Sequence, residues 1–126
     1  MSKATNSRKD TWLYWSLTGL LSAFMAFSGV FYLTSPEATA AFQHLGFPSY
    51  FRVELAIAKL LGAAALLLPI SARVKEWAYA GFAITFVSAA IAHSASGDPA
   101  TAVAAPIVAL LVLFGSYRAY RRRRGD

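Results

Sequence analysis

A chain of 126 residues that is 57% hydrophobic and only 14% charged, with a net charge of +6, is far from a soluble domain, where about a quarter of residues are charged. A mean hydropathy of +0.48 agrees, and the length suits a single domain over residues 1–126. With no cysteine, the polypeptide holds no disulfide, no thiolate metal site and no thiol redox chemistry of its own.

In chain order, the first ten residues are polar and read as a mobile start. Apolar runs then fill about 12–33, 50–68, 77–96 and 100–117. At a rise of 1.5 Å per residue, about 20 residues cross a hydrocarbon core of roughly 30 Å, so each run is just long enough. Barrel strands would be about 10 residues long and alternate in polarity, which these runs do not. The expected fold is all-α, an integral membrane four-helix bundle.

After the first run, Ala38-Thr39-Ala40 has the small-x-small pattern of a signal-peptidase site. A signal core is about 7 to 15 residues, shorter than this aromatic-rich run, so the run reads as a retained span. Ser35-Pro36-Glu37 reads as a helix start, and Ala38 to Leu45 as a short interfacial helix before Gly46-Phe47-Pro48 turns the chain. Phe42, Phe47, Tyr50 and Phe51 are expected as an aromatic belt at the outer surface. The second run stops at Pro69, Gly97-Asp98-Pro99 makes a tight turn into the fourth, and Pro106 should kink that last helix. Gly125 and Asp126 end a solvated tail.

The cations are placed asymmetrically. Lys3, Arg8 and Lys9 precede the first run, Arg73 and Lys75 separate the second from the third, and Arg118 with Arg121 to Arg124 follow the fourth, making ten of the twelve. Four crossings put those segments on one side, which the positive-inside rule makes cytoplasmic, with the N- and C-termini inside. The arginine run then reads as an anchor on anionic lipid, and no nucleic-acid partner is expected. The bilayer is the expected partner; a protein partner and self-association are both compatible with the pattern.

Small residues four apart mark packing faces, because lipid offers no hydrophobic drive and close backbone approach supplies the contact. Thr18, Ser22 and Ala26 line the first run, Ala58 and Gly62 the second, and Gly81, Thr85 and Ala89 the third, a row that continues to His93.

Chemistry must come from ionisable groups within the runs: Arg52, Glu54, Lys59 and His93, with Asp98 at the outer turn. Lys59 is the deepest, about 10 Å past Arg52. Glu54 and Lys59 are about 140° apart on a helix, with Gly62 near the middle of the arc, so both can flank one inward face. A cluster of Glu54, Lys59, His93 and Asp98 opening outward is allowed. The plainer readings are that Arg52 is an interfacial snorkelling residue, Asp98 caps the fourth helix, His93 donates to a nearby carbonyl, and Glu54 with Lys59 forms a structural pair. Two histidines without close ligand spacing argue against a metal, and no nucleophilic triad, phosphate loop or dinucleotide fingerprint occurs.

The blocks Leu45-Gly46-Phe47-Pro48-Ser49-Tyr50-Phe51, Lys59-Leu60-Leu61-Gly62-Ala63, Val74-Lys75-Glu76-Trp77-Ala78-Tyr79-Ala80-Gly81-Phe82 and Ala92-His93 with Gly97-Asp98 resemble the DoxX-like family of small bacterial four-span proteins. The resemblance implies a multi-pass protein of the bacterial cytoplasmic (inner) membrane and places Lys59, His93, Gly97 and Asp98 on recurrent polar positions. Glu54 departs from the family pattern, which is apolar there. The family is linked to quinone-coupled thiosulfate oxidation, so the resemblance implies an accessory subunit of a membrane redox system rather than an autonomous enzyme; the residues name no cofactor, and a quinone is the candidate that the resemblance offers. Distantly similar folds bind or isomerise sterols, which keeps a second implication open: a binding or transport module for a small apolar or weakly acidic molecule.

Overall fold

The structure, a computed structural model, describes residues 8–124; the expectations placed on Lys3, Gly125 and Asp126 lie outside them. It is all-helical among the described residues: α1 (Arg8–Thr34), α2 (Pro36–His44), α3 (Ser49–Leu67), α4 (Ala72–Ala95) and α5 (Ala100–Arg123). Three of these, α1, α4 and α5, are long and apolar enough to cross a membrane. The 19-residue α3 is interrupted by Arg52, Glu54 and Lys59, and its extra charge is what sets it apart.

Local chemistry fixes the ends. Ser35 caps α2, its Oγ accepting from the Glu37 amide, with Pro36 in the first turn. Ser71 caps α4 in the same way through the Val74 amide, so α4 starts about one turn ahead of the apolar run at 77–96. The connectors after α2 and α4 turn at Gly46 and Gly97, with φ of 85° and 73°, the left-handed region that glycine enters without a side-chain clash. α5 continues through Pro106 and six residues past the apolar run into the arginines, where the backbone stays helical to Arg123.

α1 packs against α3 and α5, and α4 packs against α5 and α3, while the short α2 rests on α1 and α3. Tyr14, Leu21 and Met25 of α1 meet Leu66 of α3, Phe82 and Phe86 of α4, and Leu113 of α5 in one core. Through it runs a polar thread. Thr18 Oγ1 and Ser116 Oγ share a hydrogen bond of 2.6 Å, and Tyr79 Oη bonds the same Ser116 at 2.8 Å. Each such bond between helices in an apolar medium contributes about 0.6 kcal/mol and fixes rotation. Large apolar side chains such as Trp12, Phe27, Trp77, Ile84, Leu111 and Phe114 point outward, as a lipid-facing surface allows.

Three expectations need correction. The start of the chain is not a mobile tail from residue 8 onward: Arg8–Asp10 belong to α1, and Asp10 is buried against Arg122, 3.2 Å away on α5. Of the aromatic residues expected as an outer belt, Phe42 turns inward, buried and packed on Tyr32, Phe47 and Phe51, while Phe47 and Tyr50 are exposed. Finally, the small-residue rows separate. Thr18 and Ser22 are buried, and a side chain at Gly62 would strike the Phe82 ring, but Gly81 and Ala58 are exposed and nothing lies within 4 Å of Gly81's open side. The reason is Phe82: its ring fills the approach to Gly62 and leaves a groove of about 370 Å³ between α3 and α4, bordered by Gly81 and Ala58.

Candidate functional site

α3 presents Lys59 on its buried face, at 6% exposure, toward α1. Its ammonium donates to Ser28 Oγ at 2.8 Å and stands 3.9 Å from the centre of the Tyr32 ring. Both partners lie on one face of α1, four residues apart, which is why a single helix supplies a hydroxyl and a π face to one cation. A hydroxyl and a ring soften the cost of burial without cancelling the charge. Among the described residues no carboxylate pairs with Lys59.

Lys59 lies at the wall of a cavity of about 440 Å³ whose lining is largely apolar, with aromatic side chains including Phe24, Tyr32, Phe42, Phe51 and Phe86, and with His93 as its other basic residue. That volume falls within the range of small-molecule sites, and the pattern of apolar walls with a few polar groups is the usual one. α5 contributes Ala105, Pro106 and Ala109. Small side chains there leave the space that larger ones would fill.

The expected cluster of four is therefore split. Lys59 and His93 share the cavity. Glu54 is exposed on α3 and, among the described residues, makes no ion pair, so the inward-facing pair of Glu54 and Lys59 does not form. Arg52 donates from Nη1 to the Tyr32 carbonyl and is half buried. It thereby ties the start of α3 to the end of α1.

Asp98 does not cap α5; Pro99 holds the cap position and no side chain caps there. Instead its carboxylate takes a hydrogen bond on each oxygen, from His93 Nδ1 and from His44 Nε2, both at 2.6 Å. The two histidine bonds hold the Asp98 carboxyl below the usual carboxylate range, His93 contributing the larger part. Sequence reasoning missed His44, which it weighs only together with His93 and only against a metal. The one signal for it is Asp98, two residues past the end of the third run and expected on the same side as the connector. Through His44 the bridge links α2, which otherwise packs only on α1 and α3, to the α4–α5 turn, across the outer side of the cavity.

Because the Asp98 carboxyl is lowered in the fold, the bridge contributes fully above the ordinary carboxylate value of about 3.9 and is lost as pH falls through the lower folded value. Asp98→Asn should reproduce the loss at neutral pH. Hydrogen exchange is expected to rise several-fold in Pro36–His44 and stay unchanged in α1; equal exchange in the variant and the native protein would show that the bridge does not hold α2.

Among the described residues no group of histidine and carboxylate side chains converges to hold a metal ion. A family model described as the DoxX-like family matches residues 16–116. The chain belongs to the DoxX-like family. No curated protein and no solved structure matches it. The matched segment of this DoxX-like protein contains every residue of the cavity and of the Asp98 bridge, from Phe24 to Ala109.

Proposed function

We propose that this DoxX-like protein is a four-span subunit of the bacterial cytoplasmic membrane, with both termini cytoplasmic, whose cavity binds a quinone headgroup for a redox system that carries its catalytic centre elsewhere. One observation carries the reading: a buried ammonium without a carboxylate faces a largely apolar cavity with aromatic side chains in its wall. Beyond the Ser28 hydroxyl and the Tyr32 ring, the ammonium has donors left for an electron-rich ligand oxygen. Lys59 and the Ser28 hydroxyl would hold a carbonyl oxygen, the phenylalanines would flank the ring, and His93 would close the outer side. A bound quinone supplies the electron and proton carrying that the polypeptide lacks. The protein's own part is to bind, orient and exclude water.

α3 is read as the fourth span because it lies between α1 and α4 and turns Lys59 away from lipid. Reporter fusions after Arg73 and after Asp126 should read cytoplasmic and one at Ala40 outside. A cytoplasmic signal at Ala40 contradicts the four-span topology.

The second reading, a module that binds or moves a weakly acidic apolar molecule without catalysis, draws on the same uncompensated charge, since an anion would satisfy Lys59 as well. Mass spectrometry of the lipid extract from the purified protein separates the two. A quinone enriched over an unrelated membrane protein prepared in parallel supports the first reading, an enriched acid supports the second, and identical extracts contradict both.

A further inference from the structure

At the opposite end of the molecule from His93, the first turns of α1, the turn after α3 and the last turns of α5 enclose a cleft of about 490 Å³. Lys75, Arg123 and Arg124 line it, and no carboxylate does. The nearby acids are already engaged: Asp10 with Arg122 at 3.2 Å, and Glu76 with the Tyr117 hydroxyl at 2.9 Å and with Arg124 of the cleft at 3.9 Å.

Two polar atoms in this cleft are buried without a hydrogen-bond partner, Arg123 Nε and the Tyr120 hydroxyl, and Tyr120 as a whole is 6% exposed. Buried donors left unmade are costly, so a pair of them in one cleft marks the place of an acceptor. Arg123 is held there by aromatic faces, its Cζ 4.9 Å from the Tyr14 ring centre and 6.0 Å from that of Trp15. Lys75 donates to the carbonyls of Ala65 and Leu66 at 2.8 and 3.0 Å, which closes the C-terminal end of α3 and leaves the third N–H of its ammonium.

We propose that this cleft is a binding site for the phosphate of one anionic phospholipid. Guanidinium, ammonium and phenol donors lining one cleft match a phosphate, which offers several acceptor oxygens. A lipid, rather than a free phosphate, is indicated by the cleft's apolar lip: Trp15, Leu67 and Leu68 are 44%, 45% and 51% exposed, a surface along which acyl chains lie. The site stands apart from whatever the Lys59 cavity takes.

The test is native mass spectrometry of the delipidated protein in detergent, with phosphatidylglycerol, phosphatidylcholine or inorganic phosphate added. One phosphatidylglycerol per chain should persist at collision energies that strip phosphatidylcholine. Arg123→Gln should reduce its retention about tenfold or more, as loss of a charge-assisted hydrogen bond does. Tyr120→Phe, which removes the buried hydroxyl and keeps the ring, should melt like the native protein and still retain less lipid. Arg118→Gln, the same charge change at an exposed position, should retain it fully. Equal retention in native, Arg123→Gln and Tyr120→Phe protein, or equal retention of the two lipids, overturns the site. Displacement of phosphatidylglycerol by millimolar inorganic phosphate assigns the site to a soluble phosphate and overturns the lipid.

Discussion

Replacing Gly62 with leucine should destabilise the folded protein by about 3 kcal/mol or more, the upper end of what overpacking costs in a filled core. Even a single added carbon at Gly62 would overlap the Phe82 ring, and Phe82 is itself enclosed by the core. The ring cannot swing outward without breaking its stack on Phe86, whose centre is 6.2 Å away. Leu67→Ala, at a position 45% exposed, should cost about 0.5 kcal/mol or less. Leu66→Ala is no such control, because Leu66 is fully buried and its loss leaves a cavity costing about 2 to 5 kcal/mol. Thermal unfolding in detergent measures the order. Gly62→Leu protein melting with the native protein would show that α3 and α4 do not meet at Phe82.

Lys59→Met should leave the fold intact or firmer while weakening ligand retention about tenfold or more. Methionine fills the same volume with a flexible apolar chain, and one buried charge fewer must be compensated. Ser28 and Tyr32 lose only their shared cation, and Ser28 can turn its hydroxyl back to its own helix carbonyls. A ligand oxygen, by contrast, loses a charged donor worth about 1.5 to 3 kcal/mol, a fall in affinity of about tenfold to a hundredfold. His93→Ala should weaken binding too and additionally free one oxygen of Asp98. Native-like extracts from both variants, alongside unchanged melting, would show that neither residue touches a ligand.

Much of this arrangement was legible in the sequence, and the reasons are particular. Pro36 after Ser35, Pro69 and Gly97 announce helix boundaries through backbone geometry that needs no tertiary context. Lys59 stood out because a charge within an apolar run is expensive wherever it ends up. The face of a helix that a residue occupies is another matter. Glu54 and Lys59 are five residues apart, and the angle between them admits either a shared inward face or the observed division, one outward and one buried. Gly81 and Gly62 looked equivalent as small residues, yet only contact with Phe82 gives Gly62 its role. The His44–Asp98–His93 bridge joins residues 54 positions apart, beyond any local pattern. Ser116, bonded to both Thr18 and Tyr79, was hidden for the same reason.

Photolabelling with a photoreactive quinone analogue, followed by peptide mapping, tests the central claim most directly. Native protein should carry the label within 24–32, 42–59, 84–93 or 105–109, the stretches of α1, α2–α3, α4 and α5 that border the cavity, and excess unlabelled quinone should remove it. In Lys59→Met protein the same peptides should be labelled about tenfold less. Label confined to the lipid-facing side chains such as Trp12, Trp77 or Phe114, or label at the cavity that excess quinone and loss of the Lys59 ammonium leave unchanged, would contradict a quinone site at Lys59.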